Sequence, residues 1–231
     1  MFKNKLAVIT PTIRLEGLKI VQKALEEQDF EDFDWYICSP KEPKDCWGTW
    51  IPDTFKGGCW TLNRAYNQLI RQSNGELIVS WQDYTYGDPN ILSTLWEHYQ
   101  KEPKGLVSIL GNKYMDDTFF LESWFDPRQG SGRCNFNEVE WNLCSCPRAG
   151  LYEIGGFDEG ADWEFLGMDG YGVNERLDKL GYKFFLEDKV KTYSLMHGRV
   201  ANWEELNGIH GKYTQRKNKL EKWPYLDYLL R

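Results

Sequence analysis

Residues 76–85 read ELIVSWQDYT. The apolar run Leu77-Ile78-Val79-Ser80-Trp81 is too short for a helix and follows the turn signal Asn74-Gly75, so it reads as a strand buried on both faces, the kind found in parallel sheets. It ends at an amide, an acid, a phenol and a hydroxyl instead of at an ordinary turn. In an open parallel sheet, ligands sit outside the carboxyl ends of the strands. Asp83 is therefore expected at the rim of a ligand crevice.

The neighbouring segments support the same architecture. Leu6-Ala7-Val8-Ile9 is a second compact apolar run, closed by Thr10-Pro11-Thr12, because Pro11 cannot donate to a sheet ladder. Leu18, Val21, Ala24 and Leu25 recur at helical spacing in a helix expected to end near Gln28, and Trp35-Tyr36-Ile37-Cys38 is a strand cut off by Ser39-Pro40. Further helices are expected over Thr61–Gln72 and Asn90–Tyr99, and a strand over Leu106–Leu110. Alternating strands and helices define an α/β fold with a mainly parallel sheet flanked by helices. The second half is less regular. Asn112–Asn137 is polar and glycine-dotted, Val139–Leu143 alternates like a strand, Ala149–Ile154 is a short helix, Gly170–Leu180 a longer one, and Lys183–Leu186 a strand. Lys41–Gly58, with its prolines, glycines and tryptophans, reads as a loop over the cleft or as a surface excursion with a small aromatic cluster.

At 231 residues the chain suits a single domain. Its 11 Trp and 16% aromatic content suit either ligand stacking or an aromatic core. The net charge of −7 disfavours a nucleic-acid coat, since phosphate repels an acidic surface. Only the basic, aromatic-bearing tail Gly211–Lys219 speaks for a nucleic-acid partner. No apolar leader and no run long enough to span a bilayer appear, which makes a cytoplasmic protein the expectation. The six cysteines are too dispersed for a zinc framework and read as reduced thiols.

Four segments, in order, resemble the family 2 glycosyltransferases of the GT-A fold: Ala7–Arg14 with its Pro-Thr turn; Ala65-Tyr66-Asn67 followed by Asn74–Val79; Gln82-Asp83-Tyr84-Thr85 at the place of the Asp-x-Asp motif; and Pro147-Arg148 through Gly155-Gly156-Phe157-Asp158-Glu159, Gly167-Met168-Asp169, Arg176-Leu177, Gly181-Tyr182 and His197. The Gly-Gly-Phe-Asp-Glu run is the most specific of these. The resemblance spans roughly residues 6–198. It implies a Rossmann-like GT-A domain with a nucleotide-binding half over about 1–110 and an acceptor-binding half with the C-terminal tail over about 111–231.

The activity it implies is transfer of a sugar from a UDP- or GDP-sugar to an unidentified acceptor. A divalent cation, Mn2+ or Mg2+, offsets the charge on a leaving diphosphate and takes oxygen ligands. By resemblance Asp83 is the metal contact and His197 closes the metal site, with Asp88 a weaker candidate. Thr10, Pro11, Thr12, Arg14, Asn67, Gln82 and Asp83 fall at the nucleotide. The chain departs from the pattern in offering one acid where Asp-x-Asp has two, and Ser39 where relatives place an acid.

An inverting transfer needs a carboxylate to take the acceptor's proton. Asp169 is the candidate, with Asp162 and Glu164 as substitutes and simple helix capping as the structural alternative. Trp163 and Tyr171 are the expected acceptor-stacking residues, Arg176 a helix-borne structural or phosphate contact, and Lys212 and Arg216 cations for the leaving group. The departures leave two alternatives: a GT-A-shaped binding module without catalysis, and an enzyme acting on a nucleic-acid base or a protein side chain.

Overall fold

The computed structural model describes residues 5–53, 62–114, 122–164 and 168–195, apart from the side chains of 122–124, 163 and 164. The strands are β1 Leu6–Pro11, β2 Phe33–Ser39, β3 Thr49–Pro52, β4 Leu77–Trp81, β5 Thr85–Gly87, β6 Gly105–Tyr114, β7 Glu122–Trp124, β8 Gly132–Cys134, β9 Leu143–Pro147 and β10 Lys183–Leu195. The helices are α1 Leu18–Glu26, α2 Leu62–Gln72, α3 Ile91–Lys101, α4 Arg148–Glu153, α5 Gly160–Glu164 and α6 Gly170–Lys179. One mixed sheet runs β3-β2-β1-β4-β9-β6-β10-β5, with β7 on β6 and β8 on β10. The β1–β2, β1–β4, β2–β3 and β6–β10 ladders are parallel, and β9 runs antiparallel between β4 and β6.

Alternate residues of the central strands serve two cores, as a twofold side-chain period requires. Ala7, Ile9 and Ile78 pack with α2, Leu151 of α4 and Leu177 of α6 on one face, while Leu6, Val8, Leu77 and Val79 pack with α1 and α3 on the other. Each fully buried Val, Leu or Ile among them contributes roughly 2 kcal/mol by leaving water. Much of the aromatic content is core. Trp35, Trp81, Tyr66 and Phe157 are among the largest fully buried side chains, and Tyr66 stacks on Phe157 at 4.8 Å between ring centroids.

The crevice arises where two parallel strands part. β1 pairs with β4 only from Leu6 to Ile9, opposite Ser80, but stays paired with β2 as far as Pro11, opposite Cys38. The expected end of β1 at Thr10 thus becomes the point where its β4 side opens. Thr10 bridges the divergence, its hydroxyl donating to the Trp81 carbonyl (2.8 Å) and accepting from the Trp35 indole N–H (2.9 Å).

Three expectations need correction. The strand read over Val139–Leu143 lies instead at Leu143–Pro147; Val139 and Trp141 are buried in the core ahead of it, and the Cys-Ser-Cys sequence, polar on paper, forms the buried centre of the sheet. The Lys41–Gly58 loop contains β3, an edge strand, a position that tolerates Pro52. The strand begun at Lys183 runs on to Leu195 through a register shift between Glu187 and Thr192. The five described cysteines are free thiols. No helix among the described residues is long and apolar enough to cross a membrane.

Candidate active site

Asp83 lies just past the end of β4 and is 2% exposed. Both of its carboxylate oxygens are engaged. Oδ2 accepts from the Thr12 hydroxyl (2.5 Å) and from Arg14 Nε (3.0 Å), and Oδ1 accepts from Arg14 Nη2 (2.7 Å). Arg14 N–H in turn donates to Thr12 Oγ1 at 2.8 Å, so the Pro-Thr turn, the arginine and the acid form one closed unit.

Tyr84 backs this unit with a left-handed backbone, φ 60°, unusual for a non-glycine residue. Its N–H donates to the Gly17 carbonyl (3.3 Å) and its hydroxyl to Glu16 (2.6 Å). Gly17 must be glycine here, because a Cβ would lie 2.4 Å from the Tyr84 ring. Burial, then Glu16, pushes the Tyr84 phenol well up from its ordinary value.

Asp169, the N-cap of α6, is held by Oδ2, which accepts from Arg176 Nη2 (2.9 Å) and from the Asp158 N–H (2.9 Å). Oδ1 makes no hydrogen bond among the described residues. The Asp169 N–H donates to Asn63 Oδ1 at 2.7 Å. A chain of neighbours links Asp169 to Asp83: a Cβ on Gly170 would meet Trp141 at 2.8 Å, and the carbonyl of Asn142, the next residue, accepts from the Gln82 N–H (3.0 Å). Both acids therefore sit at the end of the sheet where β4 finishes and β9 begins.

A buried polar network under the site was not foreseen. Asn63, Arg64, Asn67 and Gln68 are buried on α2 at i and i+4 spacing, and that polar stripe inside a helix was the available signal. Asp162 accepts from the Asn63 N–H and amide and from the Arg64 N–H, and Arg64 pairs with Asp53. Asn67, expected at the nucleotide, clasps the Phe157 backbone from both sides and donates to Glu159. Gly155 and Gly156, φ +76° and +78°, end α4 and turn this segment inward, with Gly156 N–H closing on the Leu151 carbonyl (2.8 Å).

Burial pushes Glu159 up to about 7 against the opposing Asn67 bond, and burial likewise pushes Asp162 to about 7. Glu159 Oε2 is buried without a partner among the described residues. The folded protein thus holds this proton more tightly than the unfolded chain. The resulting stability is complete below about pH 4.5 and is lost as pH rises through about 7. Urea unfolding is expected to show the wild type losing stability from pH 5.5 to 8, and Glu159→Gln flattening part of that slope. An unchanged slope refutes the assignment.

Of the remaining expected residues, Pro11 pairs with Cys38 in the sheet, Gln82 is half-buried beside Asp83, and Tyr171 is 62% exposed and packs T-shaped with Phe136. The Ser39 hydroxyl donates to the Lys41 carbonyl, and Asp88 accepts from the Lys191 N–H of β10. His197, the side chains of Trp163 and Glu164, and the tail with Lys212 and Arg216 lie outside the described residues. The Leu195 N–H at the end of β10 donates to the Tyr84 carbonyl (3.0 Å), beside Asp83. Next to this strand end, a cavity of about 380 Å³ is bounded by the paired strands β6 and β10 and the segment after β7, lined by Asn112, Tyr114, Phe125, Asp126 and Tyr193 among others.

The helix-flanked mixed sheet is GT-A-like in fold, as its match to solved structures shows. The crystal structure of S. aureus TarS residues 1–349 superimposes with a TM-score of 0.64 at 12% identity, covering 98% of this chain and 69% of that one. The chain spans 42% of the longer TarS structure. The TarS 1–349 complex with UDP gives a TM-score of 0.60 at 12% identity over 97% of this chain and 75% of that one. GalNAc-T7, solved with UDP, GalNAc and Mn2+, gives 0.62 at 11% identity over 83% of this chain and 44% of that one. No family profile and no curated protein sequence matches the chain.

Proposed function

We propose that this protein transfers a sugar from a nucleotide-sugar donor to a hydroxyl-bearing acceptor with inversion, with Asp169 as the base. The observation that supports the proposal is that Thr12, Arg14 and Asp83 lie at the same end of the sheet as Asp169. The nucleotide lies against the Pro-Thr turn, and UDP is preferred to GDP because TarS and GalNAc-T7 were each solved with UDP. The acceptor enters from the α6 side, where exposed Tyr171 offers a flat face for a sugar ring.

In the transfer the acceptor O–H loses its proton to Asp169 Oδ1 while its oxygen bonds to the anomeric carbon. The bond from that carbon to the diphosphate oxygen breaks, and its electron pair leaves with UDP. Arg176 and the Asp158 N–H aim the carboxylate by holding its other oxygen. Asn63 ties the Asp169 backbone to the start of α2.

The resemblance implies a divalent cation, Mn2+ or Mg2+, at Asp83 with His197 as its other expected ligand, and GalNAc-T7 was solved with Mn2+. The described donor set does not fit that ion. Asp83 already gives both oxygens to Arg14 and Thr12, Gln82 stands beside it as a neutral amide, and no three His, Cys, Asp or Glu side chains are grouped to hold a metal among the described residues. No step above is routed through a metal.

The test is incubation with UDP-glucose, UDP-galactose, UDP-GlcNAc, UDP-GalNAc and GDP-mannose, each with Mn2+ and with EDTA, following nucleotide release. Release from one UDP-sugar above the rest is the expected result. Binding of UDP without release from any donor would instead identify a binding module.

A further inference from the structure

We propose that Arg14 stands in for the divalent cation and that its guanidinium binds the donor's diphosphate. The proposal rests on the nucleotide-sugar reading of the crevice and adds the group that holds the leaving phosphates.

Three features of the site carry it. The first is occupancy. The Arg14 fork grips both Asp83 oxygens while Thr12 donates to one of them, so three of the carboxylate's roughly four acceptor sites are taken, and a metal reaching the acid would have to displace or share these charge-assisted hydrogen bonds. Such bonds are stronger than neutral ones, and breaking them around a buried carboxylate is costly.

The second is order of access. The Asp83 side chain is 3% exposed and that of Arg14 is 25% exposed, so a ligand entering the crevice meets guanidinium before carboxylate. Arg14 uses Nε and Nη2 on Asp83, and its Nη1 makes no hydrogen bond among the described residues. A planar guanidinium fixed on one edge presents its other edge in a set direction, which suits phosphate oxygens.

The third is rigidity. The Arg14 backbone N–H is held by Thr12 Oγ1, and Arg14 Cζ lies 5.5 Å from the centroid of the Tyr84 ring, itself fixed through Gly17 and Glu16. A cation placed in advance stabilises charge developing on a leaving group without reorganising. The Arg14–Asp83 pair is neutral as a whole, so the diphosphate is recognised by directed N–H groups more than by net charge.

Calorimetric titration with UDP tests this. Affinity is expected to be the same within twofold in EDTA and in millimolar Mn2+. Arg14→Gln is expected to weaken UDP binding at least tenfold in both conditions, with Arg14→Lys in between, because an ammonium cannot grip Asp83 and phosphate together. Since Arg14→Gln leaves Asp83 buried without its ion partner, the double variant Arg14→Gln/Asp83→Asn provides the folded control and is expected to show the same loss. A tenfold or greater dependence of UDP affinity on Mn2+, or Arg14→Gln binding as the wild type does, overturns the proposal while leaving the glycosyltransferase reading standing. UDP failing to bind under any condition, with no release from any donor, sinks both.

Discussion

Asp169→Asn is expected to lower sugar transfer by roughly 10³-fold, within the range that general bases contribute, while UDP affinity and the melting temperature stay close to wild type. The site geometry makes this substitution unusually clean. Both structural bonds to Asp169, from Arg176 Nη2 and the Asp158 N–H, fall on Oδ2. An asparagine can place its amide oxygen there and keep both. The amide nitrogen then takes the place of Oδ1, the oxygen left free for the acceptor's proton, and it has no lone pair to offer. Capping alone predicts the opposite, because asparagine caps helices as well as aspartate does. Nucleotide release measured at saturating donor and acceptor, beside UDP titration, separates the two. Retention of more than a tenth of the wild-type rate removes Asp169 as the base.

Asp162 is the natural comparison. Its carboxylate accepts three N–H bonds from Asn63 and Arg64 and is buried beneath the site, which suits a positioning role better than contact with an acceptor. Asp162→Asn is expected to act through stability and through the aim of Asn63.

The sheet was legible in the sequence wherever burial on both faces left uninterrupted apolar runs, as in β1, β2, β4 and β6. Legibility failed where tertiary position replaced local pattern. β9 sits between β4 and β6 and carries Leu143-Cys144-Ser145-Cys146, whose small polar-looking side chains fill a crowded sheet centre, while the more strand-like Val139 and Trp141 close the core from an irregular segment. The strand read over Lys183–Leu186 runs on past Glu187-Asp188-Lys189, an irregularity inside β10. At the site, Asp83 and Asp169 could be named individually from the motifs around them. The partnership of Asp83 with Arg14, 69 positions away, could not, because either residue alone suits solvent, a metal or a phosphate, and only the fold fixes which it meets.

Arg148→Met is expected to cost roughly 3–5 kcal/mol of folding free energy through lost charge-assisted bonds and stranded carbonyls, a fall of about 10 °C in melting temperature for a chain of this length. Arg148 is 2% exposed, yet the bonds resolved for its guanidinium go to neutral oxygens: the Ile70 and Gly75 carbonyls and the Ser73 hydroxyl. Its own N–H donates to the Glu76 carbonyl at 2.9 Å. These acceptors cluster at the carboxyl end of α2, where unsatisfied carbonyls concentrate negative partial charge and favour a cation. Burial pulls the Arg148 pKa down from its ordinary value, as expected for a cation taken out of water. Methionine matches the length of the stem but leaves those carbonyls buried with nothing to bind. Urea denaturation measures the loss directly, and a change below 1 kcal/mol refutes the role. The consequence reaches the site, because the same helix that Arg148 fastens at its far end carries Asn63 and Asn67 at its near end, and these hold Asp169 and the Gly-Gly-Phe-Asp-Glu turn in place. A less disruptive Arg148→Lys is therefore expected to reduce transfer more than it reduces UDP affinity, since the nucleotide side rests on β1 and β4 and the base side on α2.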